Sequence, residues 1–267
     1  MICVPLFFVA LFFLPPYILT AVISIISAIC AYELVHVIVP KSNDRIRIYV
    51  VFSAVLIPVG AYFKITLIVF TAVFLALMCL AFIESIVAFG TIRKVTFTQI
   101  LIFLFAGTLT PLMLSSLVSL RIMPGGHLMA LLPVISAFIT DGGAYFTGIL
   151  IGKHKAFPRI SPNKTIEGCI GGLITSTLAI LFYGVILLFT TLHGITFWAL
   201  LIYGVIGAVL TQLGDLAFSL IKREYEIKDY GRILPGHGGL LDRFDSMIFT
   251  APAIHLLVLL IPAIIIK

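Results

Sequence analysis

Apolar runs of about 20 residues recur along the whole chain, and each is long enough to cross a hydrocarbon core of roughly 30 Å. They fall at about 16–39, 46–62, 65–83, 98–120, 128–151, 168–191, 196–220 and 246–266, with a shorter apolar piece at 2–14 ahead of Pro15 and Pro16. The expected fold is all-α: a polytopic membrane protein with eight to nine transmembrane helices. Composition agrees, because 61% of the 267 residues are hydrophobic and only 10% charged, against about 25% charged in a soluble domain. The first apolar piece lacks a basic leader and runs straight into more apolar sequence, so it is expected to stay in the mature protein. Cys3, Cys30, Cys79 and Cys169 stand singly, without the paired spacing of a metal or redox site, and are expected to be small core residues.

The basic residues orient the chain. The loops after the spans ending near 39, 83, 151 and 220 share one side and hold all but Lys64, Arg121 and Lys267 of the 17 Lys and Arg. By the positive-inside rule that side is cytoplasmic. Two of these loops differ from the rest. Segment 152–167 carries Lys153, Lys155, Arg159 and Lys164 against the single acid Glu167, a pattern that also suits anionic lipid headgroups. Segment 221–245 carries five bases and five acids, so lipid attraction does not explain it. The expected organisation is a region 1–120 of N-terminal helices, facing lipid or a second copy, followed by a catalytic region 121–267 that bears both loops.

Carboxylates, cations and a glycine turn side by side are what phosphate chemistry on a hard cation requires. Magnesium takes one or two carboxylates plus substrate phosphates, and Lys and Arg offset the charge on phosphoryl oxygens. In the second loop Asp242, Arg243 and Asp245 follow a turn containing Gly236, Gly238 and Gly239, which permits close backbone approach to a phosphate. A solvated connector with incidental ion pairs is the bland alternative. Two observations weigh against it. Asp141 and Asp215 lie inside apolar spans, where a carboxylate costs roughly 2.5–3.5 kcal/mol to insert and marks a functional site by default. Ser161-Pro162 is expected to start a helix, with free N–H groups near Lys164 and Thr165 making an anion site, although capping alone explains the serine and proline. Glu33 and His36 are spaced like half of a di-iron motif but lack a second copy, so a helix-end role is expected, as are structural roles for His127 and His255.

The run Ser219-x-Ile221-Lys222-Arg223-x4-Lys228-Asp229-x-Gly231-x3-Pro235-x-His237-Gly238-Gly239-Leu240-x-Asp242-Arg243-Phe244-Asp245 resembles the signature of the phosphatidate cytidylyltransferases, or CDP-diacylglycerol synthases. SPNKTIEG (161–168) and DGGAYFTG (141–148) are similar to that family as well, so the resemblance covers roughly the C-terminal half. It implies a homodimeric multi-span enzyme that converts CTP and phosphatidate to CDP-diacylglycerol and pyrophosphate with Mg²⁺, and with K⁺ as a further cation. It implies that Asp215 and Asp242 hold metal. On this reading Lys222, Arg223, Lys228, Asp229, His237, Arg243 and Asp245 are the catalytic candidates. Ser161, Asn163, Lys164, Thr165, Glu167, Asp141, Gly238 and Gly239 are the substrate-binding candidates. Asp245 is either a further ligand or a partner that orients Arg243, and His237 is a general base, a phosphate contact or a loop anchor. The partners are CTP, phosphatidate, the bilayer and a second copy, with no nucleic acid. The expected location is the bacterial cytoplasmic membrane, with the active site facing the cytoplasm.

Two other classes compete. A CTP-dependent lipid kinase would move the γ-phosphate instead of the nucleotidyl group. An ion-coupled transporter would use Asp141 and Asp215 as a pathway but calls for an inverted repeat, and the halves show no internal similarity.

Overall fold

The computed structural model describes residues 11–38, 44–91, 94–190, 194–231, 233 and 238–265. Eight of its helices are long and apolar enough to cross a membrane: α1 (Pro16–Ile38), α2 (Asp44–Tyr62), α3 (Thr66–Val87), α4 (Phe97–Arg121), α5 (Leu131–Ile151, preceded by the single turn Gly126–Met129), α6 (Ile166–Thr190), α7 (Phe197–Glu224) and α8 (Leu241–Leu260). The eight apolar runs each became one helix, as hydropathy requires of backbone that has no water to bond. Residues 2–10 of the 2–14 piece lie outside the described residues, as do Arg232, His237 and the turn leading to it.

Contacts group the chain into two units. One contains 14–119 and 225–244. In it α2 packs against α1 and α3, and α4 passes through a π-helical turn at Phe105–Leu109. Gly107 in that turn packs so closely that a Cβ there would sit 2.7 Å from Leu77. A capping box starts α4, with Thr96 accepting from the Gln99 N–H and Gln99 accepting from the Thr96 N–H.

The other unit contains 1–13, 120–224 and 245–267. Here α5, α6 and α7 pack on one another, most extensively α5 on α6. Small residues permit that closeness, since a Cβ on Gly143 would collide with Thr175 and one on Gly172 would lie 2.7 Å from the Thr140 carbonyl. At one end β1 (Lys155–Phe157) and β2 (Ser161–Thr165) form an antiparallel hairpin, and at the other β3 (Gly194–Ile195) pairs with β4 (Ile264–Ile265).

Three expectations change. Ser161 and Pro162 do not start a helix; they lie in β2, and α6 begins at Ile166. Hairpin pairing with 155–157 keeps that backbone extended, and the cap is Thr165, whose hydroxyl accepts from the Gly168 N–H at 3.1 Å. The last span starts at Leu241, so Asp242, Arg243 and Asp245 occupy the first turns of α8 and not a loop. Of the described cysteines only Cys30 is a core residue; Cys79 is exposed and Cys169 half-buried.

Candidate active site

Helices α5, α6 and α7 and the β1–β2 hairpin enclose a cleft of about 520 Å³. Each wall has a local cause. The close α5–α6 packing, with Gly172 against the Thr140 carbonyl, sets Asp141 in the cleft wall, and the hairpin, which must turn back to reach α6, brings Lys155, Asn163 and Lys164 to line the same space. From α7 come Asp215 and Gln212. The cleft therefore joins five of the candidates, Asp141, Asn163, Lys164, Thr165 and Asp215, and adds Lys153, Lys155, Tyr145 and Gln212, which were not named as site residues.

Its centre is an ion pair. Lys164 Nζ lies 2.5 Å from Asp215 Oδ2, and both side chains are mostly shielded. The other Asp215 oxygen accepts from Ser219 Oγ at 3.3 Å, one helical turn on. Asp141 Oδ2 accepts from Ser246 Oγ at 3.1 Å, and Asp245 Oδ1 accepts from the Ser246 N–H at 2.7 Å. Asp245 is buried, and the charges of Asp141, Asp215 and Asp245 act on one another. Gly214 is what lets α7 and α8 come so near, because a Cβ there would stand 2.8 Å from the Asp245 carbonyl. Three carboxylates in an apolar setting would repel strongly if all were ionised. Cations offset this: Lys164 acts on Asp141 as well as on Asp215, and Lys222 acts on Asp245.

Neighbouring groups hold the hairpin in place. Glu167 Oε2 accepts from the N–H groups of Lys153 and His154 at 3.1 and 3.2 Å, and Glu167 Oε1 lies 2.6 Å from His154 Nδ1. Arg223 Nε donates to the Ile160 carbonyl at 3.0 Å. Glu167 and Arg223 thus serve as anchors of the loop that presents Lys153, Lys155 and Lys164. Ser161 lies in β2 without lining the cleft.

The remaining signature residues belong to the first unit described. There Asp242 Oδ2 accepts from the N–H groups of Tyr230 and Gly239 at 2.9 and 3.0 Å. Gly238 has φ +78°, a conformation suited to glycine, and a Cβ on it would come within 3.1 Å of Asp229 Oδ1. Lys228, Asp229 and Arg243 are exposed. Glu33 was the residue that sequence reasoning misjudged. It is buried, and its two oxygens accept from the N–H groups of Leu240 and Leu241 at 3.0 and 2.7 Å, capping the start of α8. Gly231 and Gly239 lie against its carboxylate with no room for a side chain. The available signal was a carboxylate inside an apolar span, the same one that singled out Asp141 and Asp215.

Among the described residues no three His, Cys, Asp or Glu side chains form a ready metal shell. Magnesium, however, uses only oxygen ligands, needs one or two protein carboxylates and takes the rest from phosphates and water. The donor set of the cleft, carboxylates with the amides of Asn163 and Gln212, fits an ion of that kind.

The chain matches the family described as "Cytidylyltransferase family" over residues 1–261. It is 50% identical over 122 residues to a phosphatidate cytidylyltransferase of Staphylococcus haemolyticus, a stretch that is 46% of this chain and 45% of that protein. Proteins of the same name from Staphylococcus saprophyticus and Staphylococcus aureus are 51% and 48% identical over the same length and the same shares. The matched stretch thus spans somewhat less than half of these curated relatives. With a family match that runs almost end to end, the chain belongs to the cytidylyltransferase family.

Proposed function

We propose that this protein is a phosphatidate cytidylyltransferase, which joins CTP and phosphatidate to give CDP-diacylglycerol and pyrophosphate at the cytoplasmic face of a bacterial membrane. The observation that carries this reading is the cleft itself: a shielded Lys164–Asp215 pair that shares one cavity with Lys153 and Lys155, among apolar spans. That arrangement suits two phosphate-bearing substrates, one from water and one from lipid. The names of the staphylococcal relatives support the same substrates.

The reaction needs little acid–base help. A phosphomonoester has a second pKa near 6, so its oxygen is largely ionised at neutral pH. In-line attack of that oxygen on the α-phosphorus of CTP forms one P–O bond and breaks the α–β P–O bond, and pyrophosphate leaves with the electron pair. The obstacle is repulsion between two anions. Lys153, Lys155 and Lys164 offset that repulsion and orient the phosphates, and Asn163 donates a neutral hydrogen bond. Asp215 and Asp141, with Asp242 as the family resemblance implies, are the carboxylates proposed to hold Mg²⁺. When bound, the ion would neutralise the reacting phosphates and the leaving pyrophosphate. A second copy of the chain and K⁺ remain part of the proposal on the resemblance alone.

Purified protein supplied with phosphatidate, Mg²⁺ and CTP labelled at either the α- or the γ-phosphate tests this. Expected is lipid that carries α-label and never γ-label, with pyrophosphate released only when phosphatidate is present. Lipid carrying γ-label would replace the proposal with a lipid kinase.

A further inference from the structure

We infer that the groove between α6 and α7 is the seat of an acyl chain of the phosphate-bearing lipid, and so a determinant of which lipids are used. The inference rests on the reading just given and adds a place for the apolar half of the substrate. The groove holds about 360 Å³ and is lined by Phe157, Ile170, Leu173, Val209, Leu213 and Leu216. Cys169 and Gln212 line both this groove and the polar cleft, so the two spaces adjoin. Gln212 Nε2 donates to the Cys169 carbonyl at 3.0 Å across the border, and the rest of the groove lining is apolar.

The direction of the groove matches that of a lipid. Helix α6 starts at the cleft and α7 runs past it towards its C-terminal end at Glu224, so positions deeper in the bundle have higher numbers on α6 and lower numbers on α7. Along that direction the lining passes from Ile170 to Leu173 on α6, about 4.5 Å, and from Leu216 to Val209 on α7, about 10 Å at 1.5 Å per residue. The groove ends where the helices meet: a Cβ on Gly204 would sit 2.6 Å from Thr177 Cα. An amphiphile with its phosphate near Lys164 therefore finds an apolar channel that begins beside its headgroup and runs inward, as its chain must. The remaining exposed apolar surface of α6, for example Leu178 and Leu188, lines neither cavity and is expected to meet bulk lipid.

The test is photo-crosslinking in nanodiscs with phosphatidate that carries a diazirine near the middle of one acyl chain, without CTP, followed by peptide mapping. Expected is label concentrated in the peptides around Ile170–Leu173 and Val209–Leu216. Excess unlabelled phosphatidate should reduce it about tenfold, and diacylglycerol, which has the chains but no phosphate, should reduce it far less. Leu213→Trp, which fills the groove, should cut this label several-fold, while Leu178→Trp leaves it intact. Label spread evenly over lipid-facing helices, or competed equally by diacylglycerol, would overturn the inference, and mapping on the wild type keeps that outcome readable even if Leu213→Trp fails to fold. The readout requires no turnover. Focused labelling without cytidylyl transfer would leave the groove standing and remove the proposed reaction, and transfer with scattered labelling would do the reverse.

Discussion

Lys164 is the residue on which the cleft turns. It reaches into the bundle from an extended strand and pairs with Asp215, while its charge also acts on Asp141. A lysine so placed offsets carboxylate repulsion before substrate arrives and is positioned to contact a phosphate afterwards. Removing it deletes a charge-assisted contact worth about 1.5–3 kcal/mol, so Lys164→Met should lower kcat/KM roughly 10- to 100-fold. Lys164→Arg keeps the charge but not the compact ammonium that fits this pair, and an intermediate loss is expected. Steady-state kinetics on the two variants checks both, and wild-type kcat/KM in Lys164→Met would detach the lysine from catalysis.

Among the helices, α8 shows best what was legible and what was not. Its apolar length was plain, but its first turn, with Asp242, Arg243 and Asp245, looked like loop because charges interrupt the hydropathy there. What allows a helix to start among those charges is Glu33, more than 200 residues earlier, whose carboxylate satisfies two of the first N–H groups. Pattern and spacing carry no information about such a distant partner. The same holds for β2, where Ser161-Pro162 has the local chemistry of a helix start but is held extended by pairing across the hairpin. Asp141 and Asp215 were legible because inserting a carboxylate into an apolar span is costly whatever it touches. Glu33→Ala should leave two buried donors without a partner, at about 1–3 kcal/mol each at most. Thermal unfolding in detergent should show a midpoint several degrees lower, roughly 2–4 °C per kcal/mol, with Glu33→Gln milder because its amide oxygen still accepts one bond. An unchanged midpoint in Glu33→Ala would mean that the cap contributes nothing to stability.

For the molecule as a whole, hydropathy defined the helices and the basic residues proposed their orientation. The asymmetry of Lys and Arg predicts the 152–167 hairpin in the cytoplasm and the α2–α3 turn outside. In a background cleared of native cysteines, Lys155→Cys should react with a membrane-impermeant maleimide only in inverted vesicles, and Phe63→Cys, at an exposed position in the opposite turn, only in intact cells. The reverse pattern would put the cleft on the wrong side for cytosolic CTP.

The decisive measurement is cytidylyl transfer from α-labelled CTP into phosphatidate by wild type and Asp215→Asn side by side, with correct folding of both confirmed by their melting curves. If Asp215 is at the reacting centre, the variant should fold and form CDP-diacylglycerol at least about a hundredfold more slowly, a barrier increase of roughly 2.7 kcal/mol. Near-normal product formation by Asp215→Asn would show that the chemistry takes place somewhere other than this cleft.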